Sequence, residues 1–122
     1  EYEMDLDPLP AGTLQEIEIN PSITHINWTN QVEYYMHVAD FFVFPSHREG
    51  FPNVLLQAGA MELPIVCSSI AGNIDIVTNN ETGLTFEKGN EAKLLEILKY
   101  ALANNEQMHV MAKQLMHNIE VN

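Results

Sequence analysis

A wholly apolar run, Phe41–Phe44, closed by Pro45-Ser46 and followed by His47-Arg48-Glu49-Gly50, admits few folds. A short apolar run between turn signals reads as a buried strand, and a strand covered on both faces belongs to a parallel sheet. Gly50 offers a residue able to turn the chain at positive φ. Pro52 then opens a helix, because proline suits the first helical turn, where its missing N–H would have no partner. Val54, Leu55, Ala58 and Met61, with Leu56 beside them, give that helix its apolar face.

The unit is a strand, a glycine turn and a helix N-terminus, with a carboxylate in the turn. Ligands of parallel α/β sheets bind beyond the carboxyl ends of the strands. A helix N-terminus adds free amides and partial positive charge, which suit a phosphate. Glu49 would repel a phosphate, so its expected partner is a neutral group such as a sugar hydroxyl. The stretch therefore reads as a site for a ligand carrying both phosphate and hydroxyls. The plainer alternative stays open at this point: Glu49 as a solvated loop residue ahead of an ordinary helix.

Composition narrows the partners. At 122 residues with 46% hydrophobic content, the chain has enough for one globular domain with a real core. Only five Lys and Arg stand against a formal charge of −12, which argues against nucleic acid and against an anionic membrane surface. The single cysteine, Cys67, excludes an internal disulfide and fits a reducing compartment, so a cytoplasmic location is expected. No apolar run approaches the roughly 20 residues of a transmembrane helix. No signal peptide is legible, and a start at Glu1 reads as a piece of a longer chain.

Taken in order, residues 1–13 read as an acidic, solvated loop. Thr13 is placed to cap a short helix through Ile19, with Glu16 completing a capping box, and Asn20-Pro21 stops it. Residues 1–22 are thus an acidic loop and short helix, 23–86 an α/β core and 87–122 carboxyl-terminal helices. Ile23–Trp28, ITHINW, alternates as a strand does, and Thr29-Asn30 cap a helix over Gln31–Asp40. Trp28, at the carboxyl end of that strand, either stacks on a nucleobase or is a partly buried packing residue.

After Leu63-Pro64 ends the Pro52 helix, Ile65–Cys67 make the next strand, with Cys67 a small core residue. A loop at Ser68–Gly72, a short helix at Asn73–Thr78, a turn at Asn79–Gly83 and a strand at Leu84–Phe86 follow. Asn90 caps the helix Glu91–Leu102, with Leu94, Leu95, Leu98, Ala101 and Leu102 on its apolar face. A last helix over 106–119 carries Met108, Met111, Leu115 and Met116, either an adaptable binding surface or packing against a neighbouring domain. The five histidines are scattered, so no metal site is expected, and no Ser–His–Asp arrangement can be argued. Strands alternating with helices at this spacing give a parallel α/β, Rossmann-like three-layer sheet.

The segment PSHREGFPNVLLQAGAMELPIVCSSIAGNIDIVTNNETGLTF resembles the carboxyl-terminal, donor-binding lobe of the GT-B-fold retaining glycosyltransferases, the large family-four group. The family pattern is a strand ending in Pro-Ser, then Glu-Gly-Phe, then a second Glu eight positions after the first. A glycine-rich loop with Glu-Ile-Val and a Glu-Thr-Gly before the last strand follow. The likeness runs from Ile23 to Phe86, and more loosely through the two final helices. It implies a nucleotide-diphosphate-sugar donor, no cofactor and no metal.

In that likeness Glu49 is the catalytic-site carboxylate that contacts hydroxyls of the transferred sugar. Gly50, Phe51 and Pro52 form the turn beside the same sugar, and the amides of Asn53 and Val54 hold the diphosphate. Gln57 stands for the second Glu, on the ribose, and Asn27, Trp28 and Thr29 lie where the base is received.

Departures are plain. Gln57 is an amide with one acceptor oxygen where the family has a carboxylate. Pro52 replaces a frequent Gly, Ser69 a common Asp, and Met61-Glu62-Leu63-Pro64 lacks the usual Gly before Leu-Pro. Two upstream strands with an Arg and a Lys, and the acceptor lobe, have no counterpart in residues 1–22. The resemblance therefore implies part of a hexosyltransferase of surface polysaccharide or glycan synthesis, inactive alone. Its acceptor, a glycan or lipid-linked, would meet another lobe, and the parent would be peripheral at the inner membrane face.

With those strands missing, Ile23–Trp28 and Phe41–Phe44 either shift together or leave an apolar edge open to another copy. Self-association through that edge or the Met-rich helix is expected. Two other readings stay open: a non-catalytic α/β interaction module using that helix, and a GT-B-related nucleotide-sugar epimerase.

Overall fold

A computed structural model describes residues 11–121, in two compact units that meet in sequence between Val32 and Glu33. Most of the expected acidic loop lies outside the described residues. In the first unit, α1 spans Ala11–Ile19. It begins ahead of Thr13, which therefore sits inside the helix and makes no capping box with Glu16. Glu16 works at the other end instead. Asn20 donates its side-chain amide to Glu16 Oε2 (2.7 Å) and accepts from the Ser22 N–H (2.8 Å), ending the helix as expected at Asn20-Pro21.

Residues 23–28 form no strand. An alternating pattern becomes a strand only when a neighbour takes its N–H and C=O groups, and Ile23 and Ile26 remain exposed. Thr29 Oγ1 accepts from the Gln31 N–H at 3.0 Å, which makes a turn ahead of the helix rather than the expected cap, since Gln31 itself lies outside it. The helix that follows, α2, is shorter than its pattern, Val32–Val38, and Met36 is its buried residue.

The second unit is built on a three-stranded parallel sheet: β1 (Phe42–Phe44), β2 (Ile65–Ser68) and β3 (Leu84–Phe86), in that spatial order. Phe42 faces Ile65 and Phe44 faces Cys67 across the first pair; Val66 faces Leu84 and Ser68 faces Phe86 across the second. β2 is central and buried throughout. β1 was expected to be covered on both faces; it is an edge strand, as β3 is, but lies outside the main hydrophobic cluster and is half-buried, with Val43 38% exposed. Of the two expected outcomes, the open edge is the one found among the described residues.

The crossover from β1 to β2 is α3, Asn53–Ala60, with Pro52 at its N-cap rather than inside its first turn. Leu55, Ala58 and Gly59 are its buried face. A Cβ on Gly59 would stand 2.6 Å from Ile119 Cδ1, so the missing side chain is what lets α3 meet the last helix closely. The exit of α3 is tight: Glu62 takes φ 58°, with Glu62 N–H donating to Gly59 O (3.0 Å) and Leu63 N–H to Ala58 O (3.1 Å). This is the paired bonding of a Schellman cap, with a glutamate in the left-handed position glycine prefers.

Between β2 and β3 the expected Asn73–Thr78 helix is a set of turns. Both the Ile76 and Val77 N–H groups converge on the Asn73 carbonyl, so no regular ladder propagates. Asn90 caps α4 (Glu91–Ala103) as expected, its Oδ1 accepting from the Lys93 N–H at 3.0 Å. Its buried side is Ile97 and Ala101 with Leu94 and Leu98 packed alongside; Leu95 and Leu102 are exposed, unlike the sequence pattern. The last helix, α5 (Asn105–Val121), turns Met108 and Met111 onto Val66, Leu84 and Phe86. Met108 and Met111 are core, 0% and 2% exposed, while Met116 is half-buried.

Candidate functional site

The carboxyl ends of the three strands open on one side. Residues 47–49 after β1, 69–71 after β2 and Glu87-Lys88 after β3 line a cleft of ≈ 520 Å³. Parallel topology brings these loops together, because every strand points the same way. A larger cleft, ≈ 690 Å³, lies at the opposite end, beside Phe41, Leu63 and Pro64, and gathers none of the sequence-predicted residues.

Glu49 is in the carboxyl-end cleft. Its Oε2 accepts from Ser46 Oγ at 2.9 Å, and the same hydroxyl lies 3.1 Å from the Arg48 carbonyl. The Ser46 carbonyl in turn accepts from the Ser68 hydroxyl. Ser68 and Asn73 are fully buried; Asn73 Nδ2 donates to the Ser68 carbonyl (3.0 Å) and approaches Ser68 Oγ (3.3 Å). Asn73 Oδ1 is buried without a partner. Sequence reasoning singled out Glu49 but missed Ser46, Ser68 and Asn73. The one available signal was Ser46, three residues before Glu49.

Gly50, Phe51 and Pro52 carry the chain from Glu49 to α3. Phe51 is 62% exposed, whereas Pro52 is buried. The turn is shaped from outside by Gly72, at φ 42°, where a Cβ would lie 2.6 Å from Gly50 O and 3.1 Å from Pro52 Cδ. At the tip of α3 the two amides differ. The Asn53 N–H is already bonded to Phe51 O at 2.9 Å, so it is committed rather than free as expected. The Val54 N–H lies in the first turn, where no intrahelical acceptor precedes it.

Gln57 follows Asn53 by one turn on the same face of α3. It is half-buried, and its Nε2 reaches Glu33 Oε2 of α2 across a long 3.5 Å contact. None of Gly50, Phe51, Pro52, Asn53, Val54 or Gln57 lines the ≈ 520 Å³ cleft with Glu49. Asn27, Trp28 and Thr29 belong to the first unit; Asn27 is exposed, Trp28 is 71% exposed and Thr29 is half-buried.

Two cations share the cleft with Glu49, Arg48 and Lys88. Neither is in an ion pair: among the described residues the single pair joins Lys93 to Glu96 at 2.7 Å. They are two of only five Lys and Arg in the whole chain, and the sequence alone did not bring them together. Cys67, beneath the site in β2, has its thiol pushed up to about 12 by burial, so it stays protonated and unreactive. Among the described residues no group of three or more His, Cys, Asp or Glu is placed to hold a metal ion, and no helix is long and apolar enough to cross a membrane.

The sequence profile of the family Glycosyl transferases group 1 matches residues 13–116. The chain is 37% identical over 89 residues to the capsular polysaccharide biosynthesis glycosyltransferase CapM of Staphylococcus aureus, covering 73% of this chain and 23% of that protein. Among solved structures it is similar to sucrose-phosphate synthase of Thermosynechococcus elongatus, with a TM-score of 0.82 at 23% identity over 90% of this chain and 28% of that one. It is also similar to Anabaena HepE in complex with UDP-glucose, with a TM-score of 0.81 at 15% identity over 88% of this chain and 30% of that one. The fold is that of the GT-B glycosyltransferases, and the chain spans about a quarter of the length of such relatives.

Proposed function

The chain belongs to the Glycosyl transferases group 1 family, and on that footing we propose that it forms the nucleotide-diphosphate-sugar binding portion of a retaining glycosyltransferase. The whole enzyme would transfer a hexosyl group to a glycan or lipid-linked acceptor held by another lobe, at the cytoplasmic face of the membrane. One observation carries the reading. Glu49 is held by Ser46 at the carboxyl end of β1, in a cleft that all three strand ends share.

In this reading Glu49 takes hydroxyls of the transferred sugar, beside Gly50, Phe51 and Pro52. Val54 offers the first-turn N–H of α3 to the diphosphate; Asn53 joins it only if its N–H leaves Phe51 O. Gln57 takes the ribose with half the acceptor capacity of a carboxylate. Arg48 and Lys88 add positive charge near the developing leaving group, which lowers the barrier as the anomeric bond breaks and the acceptor hydroxyl attacks. The neighbour HepE was crystallised with UDP-glucose, which makes a uridine donor the first to try.

The test is an amide NMR titration of this chain with UDP and UDP-glucose. Perturbation of Val54 and Gln57 by both ligands, and of Glu49 and Gly50 by UDP-glucose alone, is expected. Glu49→Gln should abolish the second set and spare the first. Shifts confined to α5 would overturn the donor-site reading in favour of an interaction module.

A further inference from the structure

We propose that Ser46, anchored by Ser68 and Asn73, is the positioning residue that holds the Glu49 carboxylate ready for the sugar. This rests on the donor-site reading of Glu49. An exposed glutamate on a loop ordinarily samples several rotamers. Here Ser46 Oγ, 2.9 Å from Oε2, selects one and ties the Arg48 carbonyl (3.1 Å) into the same contact. Among the described residues Glu49 Oε1 has no hydrogen-bond partner, which leaves it to accept from a ligand hydroxyl.

The Ser46 side is fixed from the interior. Its carbonyl accepts a hydrogen bond from the hydroxyl of Ser68, the last residue of the central, fully buried strand β2. Asn73 then donates to both oxygens of Ser68. Its orientation is informative, because Oδ1 is left buried and unpartnered. Turning the amide over would set an oxygen against the Ser68 carbonyl oxygen and remove the donor that Ser68 Oγ accepts from. The orientation that leaves Oδ1 unpartnered is therefore the one that keeps Ser68 donating outward to Ser46. Ser46 is thus anchored to the sheet through its backbone carbonyl and to the carboxylate through its side-chain hydroxyl.

The test compares wild type, Ser46→Ala and Ser46→Thr in this chain. Side-chain NMR couplings report the Glu49 χ1 rotamer in the free protein. Titration with UDP and with UDP-glucose gives the ratio of the two Kd values, which isolates the contribution of the sugar. Ser46→Ala should turn a single Glu49 rotamer into an average and lower the sugar contribution about tenfold, the scale of one charge-assisted hydrogen bond, while UDP alone binds as before. Ser46→Thr, which keeps the hydroxyl, should restore both.

A Glu49 side chain equally ordered in Ser46→Ala overturns the proposal, as does an unchanged ratio where wild type does prefer UDP-glucose. If wild type shows no sugar contribution, the donor-site reading falls and the rotamer measurement alone decides the positioning role. If Ser46→Ala does not fold, Ser46→Cys, with its weak S–H donor, takes its place with the same expected averaging.

Discussion

Gly72 and Gly50 approach so closely that a Cβ on Gly72 would stand 2.6 Å from the Gly50 carbonyl oxygen. The loop leaving β2 thus rests directly on the turn that joins Glu49 to α3. The contact is backbone on backbone, so it has no flexible side chain to absorb a change.

Gly72→Ala should destabilise the chain by about 2–3 kcal/mol, combining the strain of a side chain at positive φ with displacement of the turn. Urea unfolding measures the loss, and amide shifts at 49–52 report the displacement. A variant within about 0.5 kcal/mol of wild type, the range of an ordinary surface change, would show that the two loops part easily.

Gln57→Glu restores the family's carboxylate and should nevertheless lower stability by about 0.5 kcal/mol at neutral pH, the scale of an exposed charge pair. Its neighbour is Glu33, whose Oε2 lies 3.5 Å from Gln57 Nε2, so the change puts like charges face to face. The penalty should shrink at high salt, which screens exposed charges. Combining it with Glu33→Gln should remove the penalty at low salt as well; a persistent loss in the double variant would refute the pairing.

Glu62→Gly should raise stability by about 1 kcal/mol, since a residue at φ 58° is relieved of left-handed strain. It also removes a carboxylate from the negative end of α3. Thermal unfolding checks the sign: a lower Tm would mean that the Glu62 side chain makes a compensating contact.

Cys67 links stability to alkaline pH. Its folded value, pushed to about 12, lies above the reference 9.0, so the unfolded chain gives up the proton first. The contribution is complete below about pH 9 and is lost toward pH 12, at up to about 1.4 kcal/mol per pH unit. Subtracting the pH profile of Cys67→Ala from that of wild type isolates this slope from those of Lys and Tyr. A flat difference would mean that the thiol is not desolvated.

What could be read in advance follows from which forces are local. Asn90 caps α4 as expected because a cap needs only its own next three residues, and β2 and β3 are apolar runs between clear turns. ITHINW failed because alternation states which groups are available, not whether a neighbouring strand will take them. The Met-rich stripe was assigned outward, yet Met108 and Met111 fill the space over Val66 and Phe86. Glu49 was legible from its place between strand, turn and helix. Ser68 and Asn73 were not, since their bonds join residues 22 and 5 positions apart through the fold. Arg48 and Lys88 likewise share a cleft only because parallel strands deliver their loops to one end.

Glu49 rides on the least secured strand of the sheet. Among the described residues β1, like β3, is laced only to β2 over three facing pairs, but the mass of the hydrophobic interior belongs to β2, β3, α4 and α5. Warming should therefore fray this margin first, and discrimination between a sugar nucleotide and its bare nucleotide should fade some degrees before the globule melts.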